Sequence, residues 1–297
     1  MSVELSVVIA TKDRVEYLER ALETLALQRG APTFEVIVVD NGSRDTTAQL
    51  VSEGALRAPF ALRYEHLAQP NRAAARNVGI ARAAGATIVF VDDDVALPPE
   101  FLAAHAAAHR AAASAAAVSG PILNVPGYDA HSKPSLANYS GAFFCTCNVS
   151  VPRAALLAAG AFDEGFNLYG WEDTELGLRL RRRGLRRVFA WDAFLYHIKP
   201  PRIETLEVVT RKTEERAQMA ARLLRKDASL RTKLATGAYR ANLWRSALLA
   251  PRWSLARYRA LASDERAHPW LRGLARGQFL DGSYRTALLR ALASQAS

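Results

Sequence analysis

Three adjacent aspartates, Asp92, Asp93 and Asp94, directly follow an apolar run at residues 86–91. Adjacent carboxylates repel one another, so a fold tolerates them together where a cation or water offsets their charge. Hard divalent cations such as Mg²⁺ and Mn²⁺ take oxygen ligands and bridge to phosphate oxygens. The triplet therefore indicates a divalent-cation site that receives a phosphate-bearing ligand. The alternative is a solvated turn before the next helix.

Two further polar residues stand at the ends of predicted elements. Asp40 ends the apolar run 34–40, where its carboxylate is suited to accept a hydrogen bond from a nucleobase N–H. Arg76 lies near the start of a predicted helix, and both the guanidinium group and the helix dipole favour phosphate. Each residue alone also has a structural explanation, as a turn aspartate before Asn-Gly or as an exposed helix arginine.

Trp171, Glu172 and Asp173 precede or begin another predicted helix. Adjacent residues at a helix start point in different directions, so one carboxylate can face a reaction centre while the other holds an acceptor. The tryptophan offers a flat surface on which a sugar ring can stack. Stabilisation of the helix dipole explains the two acids equally well.

Histidines and cysteines add little metal-binding signal by themselves. His197 ends an aromatic run at residues 188–196, and a single histidine is more often structural than a ligand. His105 and His109 are predicted to lie on a surface face of an alanine-rich helix. The two cysteines, Cys145 and Cys147, are too close in sequence for an unstrained disulfide, so we expect free thiols and no cysteine-rich metal site.

The elements that must position these residues alternate along the chain. Buried strand patterns at residues 5–11, 34–40, 62–66 and 86–91 are each followed by a helical pattern. Further strand patterns occur at residues 116–122, 142–151 and 188–196. This order predicts a doubly wound, mostly parallel sheet flanked by helices, with ligands at the carboxyl ends of the strands. Residues 123–140 predict a long loop of the kind that carries function.

Charge divides the chain into two parts. Residues 198–297 hold 20 Lys and Arg against 8 Asp and Glu, although the net charge of the whole chain is only +10. Residues from 203 onward show helical patterns and no strand pattern, with predicted breaks at Gly237, Pro251 and Pro269. We therefore predict an α/β domain at residues 1–202 and a basic helical extension at residues 203–297.

In this order, the motifs resemble those of the family 2 glycosyltransferases, which have the GT-A fold and use nucleotide-sugar donors. The resemblance covers residues 3–197. Its elements are the runs 7–14, 38–43, 75–80 and 90–94, then Gly160-Ala161-Phe162-Asp163-Glu164 and Gly170-Trp171-Glu172-Asp173-Thr174-Glu175-Leu176-Gly177.

The resemblance implies a role for each matching residue. Asp173 would be the catalytic base, and Glu172 would position the acceptor. His197 would complete a metal shell with Asp94 and Asp92, the acids of the family's DXD motif, around Mn²⁺ or Mg²⁺. The residues that would bind the nucleotide sugar are Thr11, Asp13, Asp40, Arg76, Asp92, Asp93 and Trp171.

The implied reaction is an inverting transfer from a nucleoside diphosphate sugar, with UDP favoured, to a hydroxyl of a glycan or lipid-linked acceptor. Two other classes remain as alternatives. A sugar nucleotidyltransferase would share the sheet and metal site, but residues 11–14 lack the glycine-rich phosphate loop that it needs. A nucleic-acid-binding module would explain the basic extension but not the acidic triplet, so we expect no nucleic-acid partner.

The basic extension also contains aromatic residues, which together suit the surface of an anionic membrane. A solvated appendage and a homodimer surface are the alternatives. Residues 5–10 are too short an apolar run for a signal sequence or a membrane span. We therefore expect a cytoplasmic protein with peripheral contact to the inner face of the cell membrane.

Overall fold

The computed structural model describes residues 3–129, 132–201 and 204–294. Strands are confined to the first two thirds of this described chain. The strands are β1 (Leu5–Thr11), β2 (Phe34–Asp40), β3 (Ala61–His66), β4 (Thr87–Val91), β5 (Val95–Ala96), β6 (Ala116–Ser119), β7 (Ile122–Val125), β8 (Asn148–Pro152), β9 (Arg186–Phe189) and β10 (Leu195–Ile198). The α-helices are α1 (Val15–Ala26), α2 (Thr47–Gly54), α3 (Arg72–Arg82), α4 (Phe101–Ala111), α5 (Arg153–Ala158), α6 (Glu172–Arg182), α7 (Leu206–Lys226), α8 (Leu230–Thr236), α9 (Arg240–Leu249), α10 (Leu255–Ser263) and α11 (Pro269–Ala293).

Seven strands form one sheet in the order β3-β2-β1-β4-β8-β6-β9. All neighbouring pairs are parallel except β8, which runs antiparallel to both β4 and β6. The β-branched and leucine residues of β1, β2 and β4 are buried on both faces, as expected for the centre of a parallel sheet. The predicted mostly parallel sheet flanked by helices is confirmed.

The antiparallel strand β8 brings its start to the edge at which β4 ends. Val91, the last residue of β4, pairs with Asn148, the first residue of β8. The residues just after β4 therefore lie beside the residues just before β8. This register places Asp92 next to Cys147, although 54 residues separate them in sequence.

A second, three-stranded sheet has the order β5-β10-β7. In it His197 pairs with Val95, and the amide of Ile198 donates to the carbonyl of Asp94 at 2.8 Å. This pairing brings His197 to the aspartate triplet from a strand about 100 residues later in the sequence.

Helix α3 packs closely against the centre of the large sheet. Its start is capped by Asn71, whose side chain accepts from the amides of Ala73 and Ala74. At Gly79 any Cβ would overlap the side chain of Val8 in β1, so the helix backbone lies directly on the sheet. Arg76, one turn earlier, is thereby held near the carboxyl ends of β1 and β4.

Three predicted strands differ from the observed ones. The predicted strand at 116–122 is two strands, because the chain turns at Gly120, where a Cβ would overlap the carbonyl of Ala193. The strand predicted at 142–151 begins only at Asn148. The aromatic run 188–196 is divided between β9 and β10. The predicted loop 123–140 includes β7, and residues 130 and 131 lie outside the described residues.

The prediction of a surface position for His105 is wrong, since His105 is fully buried. His109 donates to Ser150 Oγ (2.8 Å), Ser150 lies 2.8 Å from His105 Nδ1, and His105 Nε2 lies 3.0 Å from Asn148 Oδ1. Burial lowers the pKa of His105 to about 3, so the ring is neutral in this chain of hydrogen bonds. These bonds fix the start of β8, next to Cys147.

Contacts divide the chain into two compact units. The first comprises Met1–Asn167 and Glu172–Arg202, and the second comprises Leu168–Trp171 and Ile203–Ser297. The second unit has its own small core, in which α7 packs against α11 through Ala217, Ala220, Ala221, Leu224 and Leu288. The predicted boundary between residues 202 and 203 lies outside the described residues.

The helices after residue 203 end or begin where the sequence predicted breaks. Gly237 caps α8 with a φ of +70°, Pro251 separates α9 from α10, and Pro269 begins α11. Among the described helices, none has both the length and the apolar character needed to cross a bilayer.

Candidate functional site

The aspartate triplet directly follows β4 at the carboxyl edge of the large sheet. Arg14 Nη1 lies 2.9 Å from Asp93 Oδ1 and 2.8 Å from Asp94 Oδ2, so one guanidinium compensates two carboxylates. The hydroxyl of Thr11 donates to the other oxygen of Asp93 at 2.8 Å. Asp93 is therefore committed to contacts within the protein.

Asp92 is the most exposed carboxylate of the triplet, with 36% of its side chain accessible. The nearest cation is Arg76, whose Nη2 lies 3.9 Å from Asp92 Oδ1. Burial raises the pKa of Asp92, and the charges of Asp94 and Asp173 raise it further, whereas Arg76 lowers it. Asp92 therefore has excess negative charge around it, which favours a cation.

His197 reaches the triplet from β10. Its Nε2 lies 3.2 Å from Asp94 Oδ1, and its Nδ1 lies 3.0 Å from Asn124 Oδ1. The amide oxygen of Asn124 can only accept, so Nδ1 carries the proton. Nε2 contacts Asp94 and faces the acids, so it is the ring nitrogen that a metal ion would bind.

Three metal-ligating groups converge at this edge. One ligand atom each from Asp92, Cys147 and His197 lies within 4.8 Å of the other two. Carboxylate, imidazole and thiolate are all ligands of divalent cations. The donor set therefore fits a divalent cation, although it differs from the predicted set of Asp92, Asp94 and His197. Asp94 contacts the same histidine nitrogen and stays a candidate ligand.

Arg76 connects the triplet to the start of α6. Its Nη1 lies 3.2 Å from Glu172 Oε1, and only 11% of its side chain is exposed. Burial and the charge of Asp173 raise the pKa of Glu172, and Arg76 partly offsets both. The second carboxylate oxygen of Glu172 is buried and has no hydrogen-bond partner in the part of the chain that the structure describes.

Asp173, the second residue of α6, is held by one oxygen only. Its Oδ2 accepts from the amide of Thr146 at 2.8 Å and from the Thr146 hydroxyl at 3.0 Å. Its Oδ1 is buried and has no hydrogen-bond partner among the described residues. Buried oxygens of this kind normally have a partner, so unpaired oxygens on both Glu172 and Asp173 indicate a place for a polar ligand.

Asp40 and Asp13 tie together the loops after β1 and β2. Asp40 accepts from the amide of Ser43 and from the hydroxyl of Tyr64, each at 2.7 Å. Asp13 accepts from the amide of Arg44 at 2.7 Å. Asp40, predicted to contact the nucleobase, and Asp13, predicted to bind the nucleotide sugar, thus each have a structural bond, and their roles toward a nucleotide stay predictions.

Trp171 belongs to the second unit and contacts residues of that unit. Its indole N–H donates to the carbonyl of Arg216 at 2.9 Å, and the Arg216 guanidinium lies 5.1 Å from the ring centroid. One face of the ring is therefore covered by Arg216. The predicted stacking of a sugar on Trp171 stays a prediction.

Three residues of the site were not singled out from the sequence, namely Arg14, Cys147 and Thr146. Arg14 lies in the loop after β1, and β1 pairs with β4, the strand that leads into the acidic triplet. An arginine in that loop is a signal that could have identified Arg14 as a partner of the triplet. Cys147 and Thr146 carry no such signal, because their position depends on the antiparallel register of β8.

Comparison with known sequences shows a similarity to glycosyltransferases. Residues 6–150 match the sequence model described as Glycosyl transferase family 2. The chain is 34% identical to a validoxylamine A glucosyltransferase from Streptomyces hygroscopicus subsp. limoneus, over 61% of this chain and 48% of that protein. It is 27% identical to chondroitin synthase from Escherichia coli, over 66% of this chain and 35% of that protein. The chain spans about half the length, or less, of these curated relatives.

Comparison with solved structures identifies the fold. The mannosyltransferase PcManGT from Pyrobaculum calidifontis, in complex with GDP-Man and Mn²⁺, matches with a TM-score of 0.64 at 20% identity, over 99% of this chain and 88% of that chain. S. aureus TarS 1-349 in complex with UDP-GlcNAc matches with a TM-score of 0.57 at 22% identity, over 97% of this chain and 91% of that chain. The predicted GT-A fold is confirmed.

Proposed function

Because residues 6–150 match the model of glycosyl transferase family 2, we propose that this chain is an inverting glycosyltransferase of that family. It would move a sugar from a nucleoside diphosphate donor to a hydroxyl of a glycan, glycolipid or related acceptor. One observation carries this proposal. Arg76 lies between Asp92, after β4, and Glu172, beside Asp173, so the triplet and the predicted base face one site.

Asp173 has the geometry of a general base. Thr146 holds one carboxylate oxygen through two hydrogen bonds and leaves the other oxygen free to accept a proton. The acceptor hydroxyl loses its proton to Asp173 Oδ1 while its oxygen attacks the anomeric carbon from the side opposite the diphosphate. Attack from that side inverts the configuration, and fixed positioning supplies much of the rate.

Glu172 and Arg76 have supporting roles. Glu172 Oε1 is held by Arg76, and its buried Oε2 is free to accept from a second hydroxyl of the acceptor. Arg76 also offers positive charge to the donor diphosphate. Thr11, Asp13, Asp40 and Asp93 line the loops at the strand ends, where a GT-A enzyme receives the nucleoside.

A divalent cation fits beside the diphosphate. Asp92, Asp94 and His197 would hold Mn²⁺ or Mg²⁺, and the cation would neutralise the departing diphosphate as a Lewis acid. A UDP-sugar is the proposed donor. Support for a nucleotide-sugar donor comes from similar structures solved with UDP-GlcNAc and with GDP-Man.

The configuration of the first product tests this reaction. We expect that one α-linked donor among UDP-, dTDP- and GDP-sugars gives a β-configured product, or slow release of β-sugar to water, in the presence of Mn²⁺. Proton NMR at early times, before mutarotation, distinguishes the anomers. EDTA should stop the reaction. An α-configured first product would contradict inversion, and release of inorganic pyrophosphate would indicate nucleotidyl transfer instead.

The second unit carries a surface that supports peripheral membrane contact. Trp244, Trp253 and Trp270 are exposed by 67%, 74% and 67%, respectively. Leu248 lies one helical turn after Trp244 on α9 and is 75% exposed. Exposed tryptophans amid arginines suit the interface of an anionic membrane. The surface would place the protein at the cytoplasmic face of the cell membrane, close to a lipid-linked acceptor.

Sedimentation with vesicles of anionic lipid tests this contact. Replacing Trp244 and Trp253 with alanine should weaken vesicle binding at least ~10-fold, because burying each ring contributes on the order of 1 kcal/mol or more. Trp191→Ala, in the first unit, is the matched control and should bind like the wild type. A lack of sedimentation at low salt, together with a dimer in solution, would assign the tryptophans to a homodimer surface instead.

A further inference from the structure

The sulfur of Cys147 lies among the groups that would hold the cation. Its Sγ is within 4.8 Å of one ligand atom each from Asp92 and His197. Atoms bound to one ion at about 2.0–2.3 Å lie about 3–4 Å from one another, so small side-chain shifts complete such a site. The thiol is buried, with 7% of the residue exposed, and its nearest acidic neighbour is Asp92.

The surroundings of Cys147 are fixed by neighbours on both sides. Asn148 donates to the carbonyls of Pro121 (3.2 Å) and Ala193 (2.8 Å), and it accepts from His105. Thr146 donates to Asp173 through both its amide and its hydroxyl. The three-residue segment 146–148 therefore links the proposed base, the cluster of ligand atoms and the buried histidine. These bonds hold the residues on both sides of Cys147 in place.

The chemistry of the three ligands differs from that of an all-oxygen site. Mg²⁺ prefers oxygen ligands in octahedral geometry, whereas thiolate and imidazole favour transition-metal cations. We propose that Cys147 is a ligand of the divalent cation, and that the site therefore selects softer transition-metal ions such as Co²⁺ and Zn²⁺ over Mg²⁺. This inference rests on the proposed function for the presence of the cation, and it identifies the ligand set and the class of metal.

Binding of a cation at this site would release a proton. Cys147 would bind the ion as the thiolate, and its thiol proton would pass to solvent. The carboxylate of Asp92, whose ligand atom lies within 4.8 Å of the sulfur, would offset part of the charge of the ion.

Titration with Co²⁺ tests the proposal without any measurement of activity. A thiolate ligand gives a charge-transfer band in the near ultraviolet, whereas the weaker visible bands report Co²⁺ bound by any ligands. We expect both signals in the wild type and in Cys145→Ser, and only the visible bands in Cys147→Ser. The affinity of Cys147→Ser for Zn²⁺ should also fall at least ~10-fold, which is the lower end of the losses in metal affinity caused by substitutions around a metal site. Its affinity for Mg²⁺ should not change.

Cys145→Ser is the matched control, because the chain has only two cysteines and this variant leaves Cys147 alone. Its charge-transfer band would identify the sulfur even if Cys147→Ser did not fold. Co²⁺ binding without that band in the wild type would overturn the ligand role of Cys147 and leave the proposed function standing. No binding of Co²⁺, Mn²⁺ or Mg²⁺, with or without a nucleoside diphosphate, would contradict the metal site of the proposed function itself.

Discussion

Asp173→Asn should lower turnover at least ~100-fold, which is the usual scale for the loss of a general base. The amide occupies the same space and can keep an oxygen toward the Thr146 donors, but it cannot take the proton from the acceptor. The binding of the donor should change little, because the base acts on the acceptor side of the reaction. Initial rates with a saturating donor, together with the affinity for the nucleoside diphosphate, separate the two effects.

The control for this substitution is Glu19→Gln, which removes an exposed carboxylate from α1 in the same unit. It should leave both turnover and diphosphate affinity unchanged. Normal turnover of Asp173→Asn would show that the proton goes elsewhere. In that case Glu172, the other acid with an unpaired buried oxygen, would become the candidate base.

Arg76 explains how so many acids can share one edge of a sheet. The buried guanidinium lies near Asp92 and contacts Glu172, and the charge of Asp173 also acts on it. Leaving a buried charge without its partner is costly, so these groups depend on one another. A second cation, Arg14, compensates Asp93 and Asp94 from the side of β1. The uncompensated charge that remains is concentrated at Asp92.

The sequence was sufficient to predict the carboxyl edge of the sheet. Asp40 and Asp92 each end an apolar run, and parallel strands bring such residues to one edge whatever the loops between them do. The helices after residue 203 were equally predictable, because Gly237, Pro251 and Pro269 mark where one helix ends or the next begins. These features depend on local patterns, which can be recognised from consecutive residues alone.

Features that depend on long-range register could not be predicted. Cys147 reaches Asp92 because β8 runs antiparallel to β4, and no pattern in residues 142–151 gives the direction of that strand. His105 was assigned to the surface from the alanines around it, but Ser150 and Asn148 provide it with buried partners from a distant strand. Similarly, the side chain that covers one face of Trp171 is Arg216 of α7, which lies 45 residues later in the sequence.

The second large effect concerns the donor site. A nucleoside diphosphate should stabilise the protein only when a divalent cation is present, because the cation links the phosphates to Asp92. At a ligand concentration of 100 times Kd the gain is about 2.7 kcal/mol, which appears as a rise in Tm. Asp92→Asn removes the least compensated carboxylate and should weaken this binding at least ~10-fold, as expected for a change in the ligands around a metal. Asp192→Asn, at an exposed position, should bind like the wild type.

The most direct measurement is therefore the Tm of the wild type with UDP, dTDP and GDP, in Mn²⁺ and in EDTA. We expect that at least one diphosphate raises Tm in Mn²⁺, that EDTA abolishes the rise, and that Asp92→Asn reduces it. A rise of equal size in EDTA and in Asp92→Asn, or no rise with any of the three diphosphates in Mn²⁺, would contradict a metal-assisted diphosphate site at this edge of the sheet.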